Sequence, residues 1–270
     1  MPDPSRVSRS VTRVTSGALE RREDEIAVER ALEIRVDGRA LSVTLRTPGH
    51  DEELALGFLA GEGVIASRSQ VAAVTTAPAA CDDQPDAVDL ALAPGVRMDW
   101  SRLERHFAAT AACGLCGRAH LESLRAGLTP IPVARRLDAG ALAALPARLR
   151  DSQHTFTATG GLHAAAWCGD DLAPRVLRED VGRHNAVDKV AGWLVNAGRH
   201  PAGEGVLWVS GRAGAEIVLK AARARIPVLA AVGAPSSLAI DLAEAAGMTL
   251  IGFLREGRMN VYGGIERVGL

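Results

Sequence analysis

Two cysteines three positions apart set the chemistry this 270-residue chain can offer, in the stretch Ala112-Cys113-Gly114-Leu115-Cys116-Gly117-Arg118. A pair at this spacing can bind a metal, exchange a disulfide or carry sulfur as a persulfide, and each of these needs thiolate rather than thiol. Arg118, protonated His120 and the positive end of a helix predicted over 118–127 all favour the thiolate. Gly114 and Gly117 free the backbone to turn and let a partner come close to sulfur. Taken alone, the motif leaves all three chemistries open.

A second set of candidate groups lies at the strand ends of the C-terminal half. Thr155–Thr159 reads as a short strand ending in Gly160-Gly161-Leu162-His163, with a small-residue helix, Ala164 to Trp167, after it. His163 is able to hydrogen-bond a substrate. Arg175–Val181 reads as a strand turning at Gly182 into a helix through Leu194. Glu179, Asp180, Arg183, His184, Asp188 and Lys189 crowd into that corner, where a surface ion-pair network is the plain reading. The chain's 31 Lys and Arg residues include only two lysines, Lys189 and Lys220, and both fall on helices that follow loops of interest.

Three apolar strands then follow in βαβαβ order, at 206–209, 227–232 and 250–254. Near-continuous apolar strands are expected where helices cover both faces of a parallel sheet, and ligands in such sheets sit beyond the carboxyl ends of the strands. Those ends carry Ser210-Gly211-Arg212, Gly233 to Ser237 and Arg255 to Arg258, and two of them open helices whose N–H groups suit anions. Neither a P-loop nor a helix-opening G-x-G-x-x-G is present, so the reading is phosphate or nucleotide binding without hydrolysis.

The first half must position these groups. Residues 1–24 are polar and read as a flexible tail. Residues 25–135 read as an N-terminal α+β domain ending in the CxxC loop, and 136–270 as an α/β domain. Within the first, Leu32, Ile34 and Val36 alternate, Asp37-Gly38 turns, and Leu41, Val43 and Leu45 alternate back. A helix starts near Asp51 with Leu54, Phe58 and Leu59 on its apolar face, and Val88, Leu90 and Leu92 mark another strand. The alanine- and leucine-rich 139–150 segment reads as a packing helix.

A formal net charge of −1 gives no argument for a nucleic-acid or membrane-surface partner, and neither is expected. No apolar run reaches the length a bilayer demands, nothing resembles a secretory leader, and four cysteines make no secreted disulfide framework; a cytoplasmic location is expected. His50-Asp51-Glu52 ahead of the cysteines evokes a zinc deaminase, but Ala112 replaces the expected proline and the gap is long. The thiol pair also admits a zinc-stabilised nucleotide-recognition or regulatory module, with Cys113, Cys116 and two of Cys81, His120 or Cys168 as ligands. It admits a thiol–disulfide oxidoreductase as well, though without a thioredoxin-like context around the motif. Cys81 and Cys168 read as small core hydrophobes.

Six motifs in fixed order make the chain resemble the formate dehydrogenase accessory sulfurtransferase family. They are Cys113-Gly-Leu-Cys116-Gly, Thr159-Gly-Gly-Leu-His163, Glu179-Asp-Val-Gly-Arg-His-Asn-Ala-Val-Asp-Lys189, Ser210-Gly-Arg212, Ala234-Pro-Ser-Ser-Leu-Ala239, and Gly252-Phe-Leu-Arg255 with Met259-Asn-Val-Tyr262. Arg46-Thr-Pro-Gly and Asp51-Glu-Glu-Leu-Ala-Leu-Gly-Phe58 extend the likeness over nearly everything after residue 25. The resemblance implies a cytidine-deaminase-like three-layer α/β core with a smaller N-terminal α+β domain, assembled as a homodimer. It also implies a sulfurtransferase that accepts sulfur from a cysteine desulfurase and passes it to a molybdenum (or tungsten) bis(molybdopterin guanine dinucleotide) cofactor bound for formate dehydrogenase. On that basis Cys113 is the persulfide carrier and Cys116 its companion, while Phe253, Leu254, Arg255, Glu256, Gly257 and Arg258 bind the guanine dinucleotide. Ser210, Gly211, Arg212, Gly160, Gly161, His163 and His184 complete the expected cofactor site. Ala213-Gly214-Ala215 and Gly233 depart from the family's bulkier residues and serine.

Overall fold

The computed structural model describes residues 3–81, 84–100 and 127–269. Cys113 and Cys116, the 118–127 helix up to residue 126 and His120 lie outside the described residues.

The first unexpected element is a hairpin, β1 (Arg6–Thr15) and β2 (Ala18–Ala27), where the sequence predicts a tail. Polarity hid it. Ser16 and Gly17 both take positive φ, as a tight two-residue turn requires, and Ser8 donates to Glu23 across the strands. The remaining N-terminal elements are β3 (Arg30–Val36), β4 (Arg39–Arg46), α1 (Asp51–Gly61), β5 (Val71–Ala77) and β6 (Asp86–Leu92). The four strands form a sheet in the order β4-β3-β6-β5, and α1 buries Leu54, Leu56 and Leu59 in a core shared with Leu32, Ile34, Val88 and Leu90.

The C-terminal half begins with β7 (Leu137–Asp138), α2 (Ala139–Ala143), α3 (Leu145–Arg150) and α4 (His154–Thr159). It continues with β8 (His163–Cys168), β9 (Pro174–Asp180), α5 (Arg183–Asn196), β10 (Val206–Val209), α6 (Ala215–Arg223), β11 (Val228–Ala231) and α7 (Ser237–Ala245). Strands β12 (Thr249–Arg255), β13 (Arg258–Gly263) and β14 (Val268–Gly269) end it. The main sheet runs β13-β12-β11-β10-β8-β9. Only β10, β11 and β12 are mutually parallel; β8 is antiparallel to both neighbours and β13 to β12. Helices α5, α6 and α7 share a core with one face, while Leu142, Leu145 and Leu149 of α2 and α3 cover the other. No described helix is long and apolar enough to cross a membrane.

Two local expectations reverse. Thr155–Thr159 lies in helix α4, because the Glu179 carboxylate accepts from the N–H groups of Thr155 (3.0 Å) and Phe156 (2.7 Å), which a short helix leaves unpaired. Gly160, at φ 68°, ends it. Ala164 to Trp167 lie in strand β8: Ala164 and Ala166 face one core, Ala165 and Trp167 the other. Two-sided burial, with the period of two, overrides alanine's helix preference.

The halves are locked together where α1 crosses α5. A Cβ on Gly57 would sit 1.8 Å from the Asp188 carbonyl oxygen, and one on Gly192 would sit 1.7 Å from that of Glu53. Beside the crossing, Arg178 holds Glu53 through two bonds of 2.6 and 2.8 Å. Deeper still, Lys189 pairs with Asp180 at 2.7 Å, with side chains 1% and 0% exposed. Lys189 also donates to the Thr47 carbonyl (2.9 Å), and Asp180 accepts from the N–H groups of Thr47 and Gly182 and from Asn185 Nδ2. Burial pulls the Lys189 ammonium below its ordinary pKa, against the pull of Asp180. Asp180, Asp188 and Lys189 of the polar corner therefore form an interior joint, while Glu179, Arg183 and His184 stay half-buried.

Two outcomes follow for urea unfolding. Gly192→Ala, meeting backbone rather than a movable side chain, costs about 3 kcal/mol or more; a loss within error of zero contradicts the crossing. Lys189→Met strands the Asp180 charge and costs about 3–5 kcal/mol, part of which Asp180→Asn restores in the double variant. A single-variant cost near zero contradicts the joint.

Candidate functional site

The carboxyl ends of β10 and β12 open into a cavity of about 880 Å3. Its wall includes Trp208, Val232 and Leu254 from the sheet side and Pro146 and Phe156 from the covering helices. Arg150, Arg255, Arg258 and Glu256, all exposed, form the rim. Three guanidiniums against one carboxylate make that rim cationic, and the apolar interior beneath it suits a flat uncharged group.

The expected cofactor residues do not gather in one place. Gly160, Ser210, Leu254, Arg255, Glu256 and Arg258 line the cavity. His163, Gly211 and Arg212 cluster beside it: a Cβ on Gly211 would meet the His163 ring at 3.4 Å. Burial depresses the His163 pKa, and the charges of Arg183, His184 and Arg212 depress it further, which favours a neutral imidazole. His184 lines a separate cavity of about 320 Å3 between β4, α1, α5 and α6, where its Nε2 lies 3.0 Å from Glu216 Oε2. That contact lowers the Glu216 pKa. Gly161 sits against β2, where a Cβ on it would lie 3.5 Å from the Ala27 methyl. Phe253 (φ 51°) and Gly257 (φ 75°) shape the chain at and beyond the end of β12, with Phe253 exposed and Gly257 in the turn to β13.

The loops after β10 and β11 are stitched to each other. Gly233 donates to the Gly211 carbonyl (2.9 Å), Ala213 to Ala234 (3.2 Å) and Ser236 to Ala213 (3.1 Å). A Cβ on Gly233 would lie 2.9 Å from the Gly211 oxygen, so glycine here permits the close approach. The Ser236 hydroxyl already accepts from Ala239 N at the start of α7, and that helix end is thus partly occupied. The start of α6, at Gly214, carries no such side-chain cap.

Sequence reasoning missed Arg150, Phe156 and Trp208. Arg150 sits in a segment whose alanines signal packing, and Trp208 lies inside an apolar strand. Phe156 becomes legible only if Gly160-Gly161 is read as a helix stop. His50, Asp51 and Glu52 start α1, with Asp51 bonded twice to the buried Arg46 (2.9 and 2.7 Å). Among the described residues no group of His, Cys, Asp and Glu is placed to hold a metal ion. Cys168 is fully buried in β8 with its thiol pushed up to about 11, a core residue as expected, whereas Cys81 is exposed. Among the described residues, then, the cavity offers binding groups and no reactive thiol.

Residues 27–269 match the FdhD/NarQ family. Relatives called sulfur carrier protein FdhD include one from Streptomyces coelicolor, 47% identical over 97% of this chain and 95% of that protein. Another, from Nocardia farcinica, is 49% identical over 96% of this chain and 94% of that protein. A crystal structure from Desulfotalea psychrophila, described as a candidate formate dehydrogenase accessory protein, superposes with a TM-score of 0.77 at 23% identity, covering 98% of this chain and all of that one. With its fold shared and close to half its residues identical over almost its whole length, the chain belongs to the FdhD/NarQ family.

Proposed function

We propose that this chain is a sulfur carrier and sulfurtransferase serving formate dehydrogenase. The observation that carries the reading is near-half identity, over almost the full length, to proteins called sulfur carrier protein FdhD, with Cys113 and Cys116 present in this sequence. Cys113 thiolate attacks the outer sulfur of a desulfurase persulfide. The donor's S–S bond breaks, its cysteine leaves as thiolate, and Cys113 holds the sulfur as a persulfide. The terminal sulfur is a soft ligand suited to molybdenum or tungsten. Release follows either attack by Cys116 on the inner sulfur, which leaves a Cys113–Cys116 disulfide for a cellular thiol to reduce, or relay of the sulfur through Cys116.

The substrate is the metal bis(molybdopterin guanine dinucleotide). The cavity supports that reading: its apolar interior takes the guanine and the Arg255–Arg258 rim takes the phosphates. The antiparallel placement of β8 between β9 and β10 supports a cytidine-deaminase-like core. A homodimer working in the cytoplasm with cysteine desulfurase and formate dehydrogenase, without nucleic acid, completes the proposal.

Intact mass after incubation with desulfurase and cysteine should show a gain of about 32 Da, one sulfur atom, on the wild type and none on Cys113→Ala. An equal gain on both, or none on either, overturns the carrier. The double variant Arg255→Ala/Arg258→Ala should keep the sulfur adduct yet bind GDP about tenfold or more weakly by calorimetry. Unchanged GDP affinity removes the cavity from the proposal and leaves the carrier standing.

A further inference from the structure

The β1–β2 hairpin is the element that the folded body does least to hold. Its ten-residue strands form a two-stranded sheet of their own. Contact with the body gathers at the root, where Ala27 meets Gly161 and the Ser5 and Thr155 hydroxyls lie 3.2 Å apart. A two-stranded ribbon is marginal in water without a further strand or an apolar face to pack. Both faces of this one carry charged residues, so a further strand is what it lacks. Val28 donates to the Ser5 carbonyl and continues a ladder in which the even-numbered residues of β2 bond to β1. The N–H and C=O groups of Leu19, Arg21, Glu23, Glu25 and Ala27 therefore point outward, and nothing among the described residues bonds to them. An open edge of this kind is a template for another strand.

Charge decides which strand meets what. Strand β1 carries Arg6, Arg9 and Arg13 and no acid, so pairing it with its own copy gathers arginines alone along the seam. Strand β2 reads Arg21-Arg22 and then Glu23-Asp24-Glu25, so an antiparallel copy sets its bases against acids. A two-fold axis between neighbouring antiparallel strands passes through a residue that faces itself. With Glu23 on that axis, Arg21 faces Glu25 of the second copy, Arg22 faces Asp24, and Leu19, 74% exposed, faces Ala27. Arg21 of each copy also lies diagonal to the facing Glu23, and Ser8 donates to Glu23 within its own hairpin. Moving the axis to Arg22 or Asp24 sets Glu20 against Asp24 or Glu23 against Glu25 instead. Taking the homodimer proposed above, we infer that its two-fold contact is made by the β2 edges, paired antiparallel about Glu23 into a four-stranded sheet. The partner this surface fits is a second copy of the chain. Each hairpin root rests beside α4, so the contact stands one helix away from the large cavity.

The test exchanges charges in the full chain and reads dimerisation by sedimentation velocity at low salt. Arg21→Glu sets acid against acid on both sides of the axis, and Glu25→Arg sets base against base. Each variant alone should dimerise about tenfold or more weakly than wild type. An equimolar mixture of the two should recover the lost affinity, because acid meets base again on both sides. Salt at about 1 M should shrink the gap between each variant and wild type. Glu23→Cys gives a covalent readout. Its two copies on the axis have Cα atoms about 5.5 Å apart, within disulfide reach, so oxidised glutathione should join two chains there, as peptide mass mapping reads. Unchanged dimer affinity in both variants, a mixture no tighter than its components, or no link through position 23 overturns the β2 contact while the homodimer stands. A monomeric wild type overturns the homodimer and the contact together.

Discussion

The buried pair between Asp180 and Lys189 is the constraint on which the rest of the molecule leans. Two opposite charges held at 2.7 Å, away from water, are tolerable only when their remaining donors and acceptors are satisfied. Thr47, Gly182 and Asn185 supply those partners, and Asn185 also donates to the Leu45 carbonyl at 2.8 Å. The pair therefore fixes the end of β4 against the corner between β9 and α5. One residue earlier, Glu179 organises the start of α4, whose Phe156 and Thr157 wall the large cavity. A single run from Glu179 to Lys189 thus joins the N-terminal sheet, the central helix and the wall of the large cavity.

Close packing extends this joint. The glycines where α1 and α5 cross allow backbone to approach backbone, and Asp188, next to Lys189, pairs with Lys220 of α6 at 2.6 Å. Burial raises the Asp188 pKa, and the Lys220 ammonium opposes that rise. Both of the chain's lysines therefore pair with interior aspartates of the same short run. The family's densest motif is explained mainly by assembly of the fold, and only His184 within it belongs to the expected cofactor set.

What could be read from the sequence tracks how local the cause of each element is. The β3–β4 hairpin, α1, β6 and the βαβαβ succession are written in apolar periodicity and turn residues, and they stand where that pattern puts them. Helix α4 was hidden because its cap comes from Glu179, 24 residues away from Thr155. Strand β8 was hidden because alanine reads as helix until both of its faces are buried. The β1–β2 hairpin was hidden because polar strands carry no apolar signal. For the site, the rim from Arg255 to Arg258 was legible as a strand end, while Trp208 looked like one more core residue. The thiol pair was legible from spacing alone, and its position lies outside the described residues.

The proposed function gives separate tasks to separate regions: a thiol to carry sulfur, and an apolar cavity with an arginine rim to hold the guanylated end of the acceptor. The most direct test follows labelled sulfur. Protein carrying 35S persulfide on Cys113 is mixed with the bis(molybdopterin guanine dinucleotide) cofactor, then separated from it. The account predicts that label moves to the cofactor and that excess GDP, by filling the cavity, suppresses the transfer. Label that stays on the protein, or that leaves at the same rate with GDP present, contradicts it.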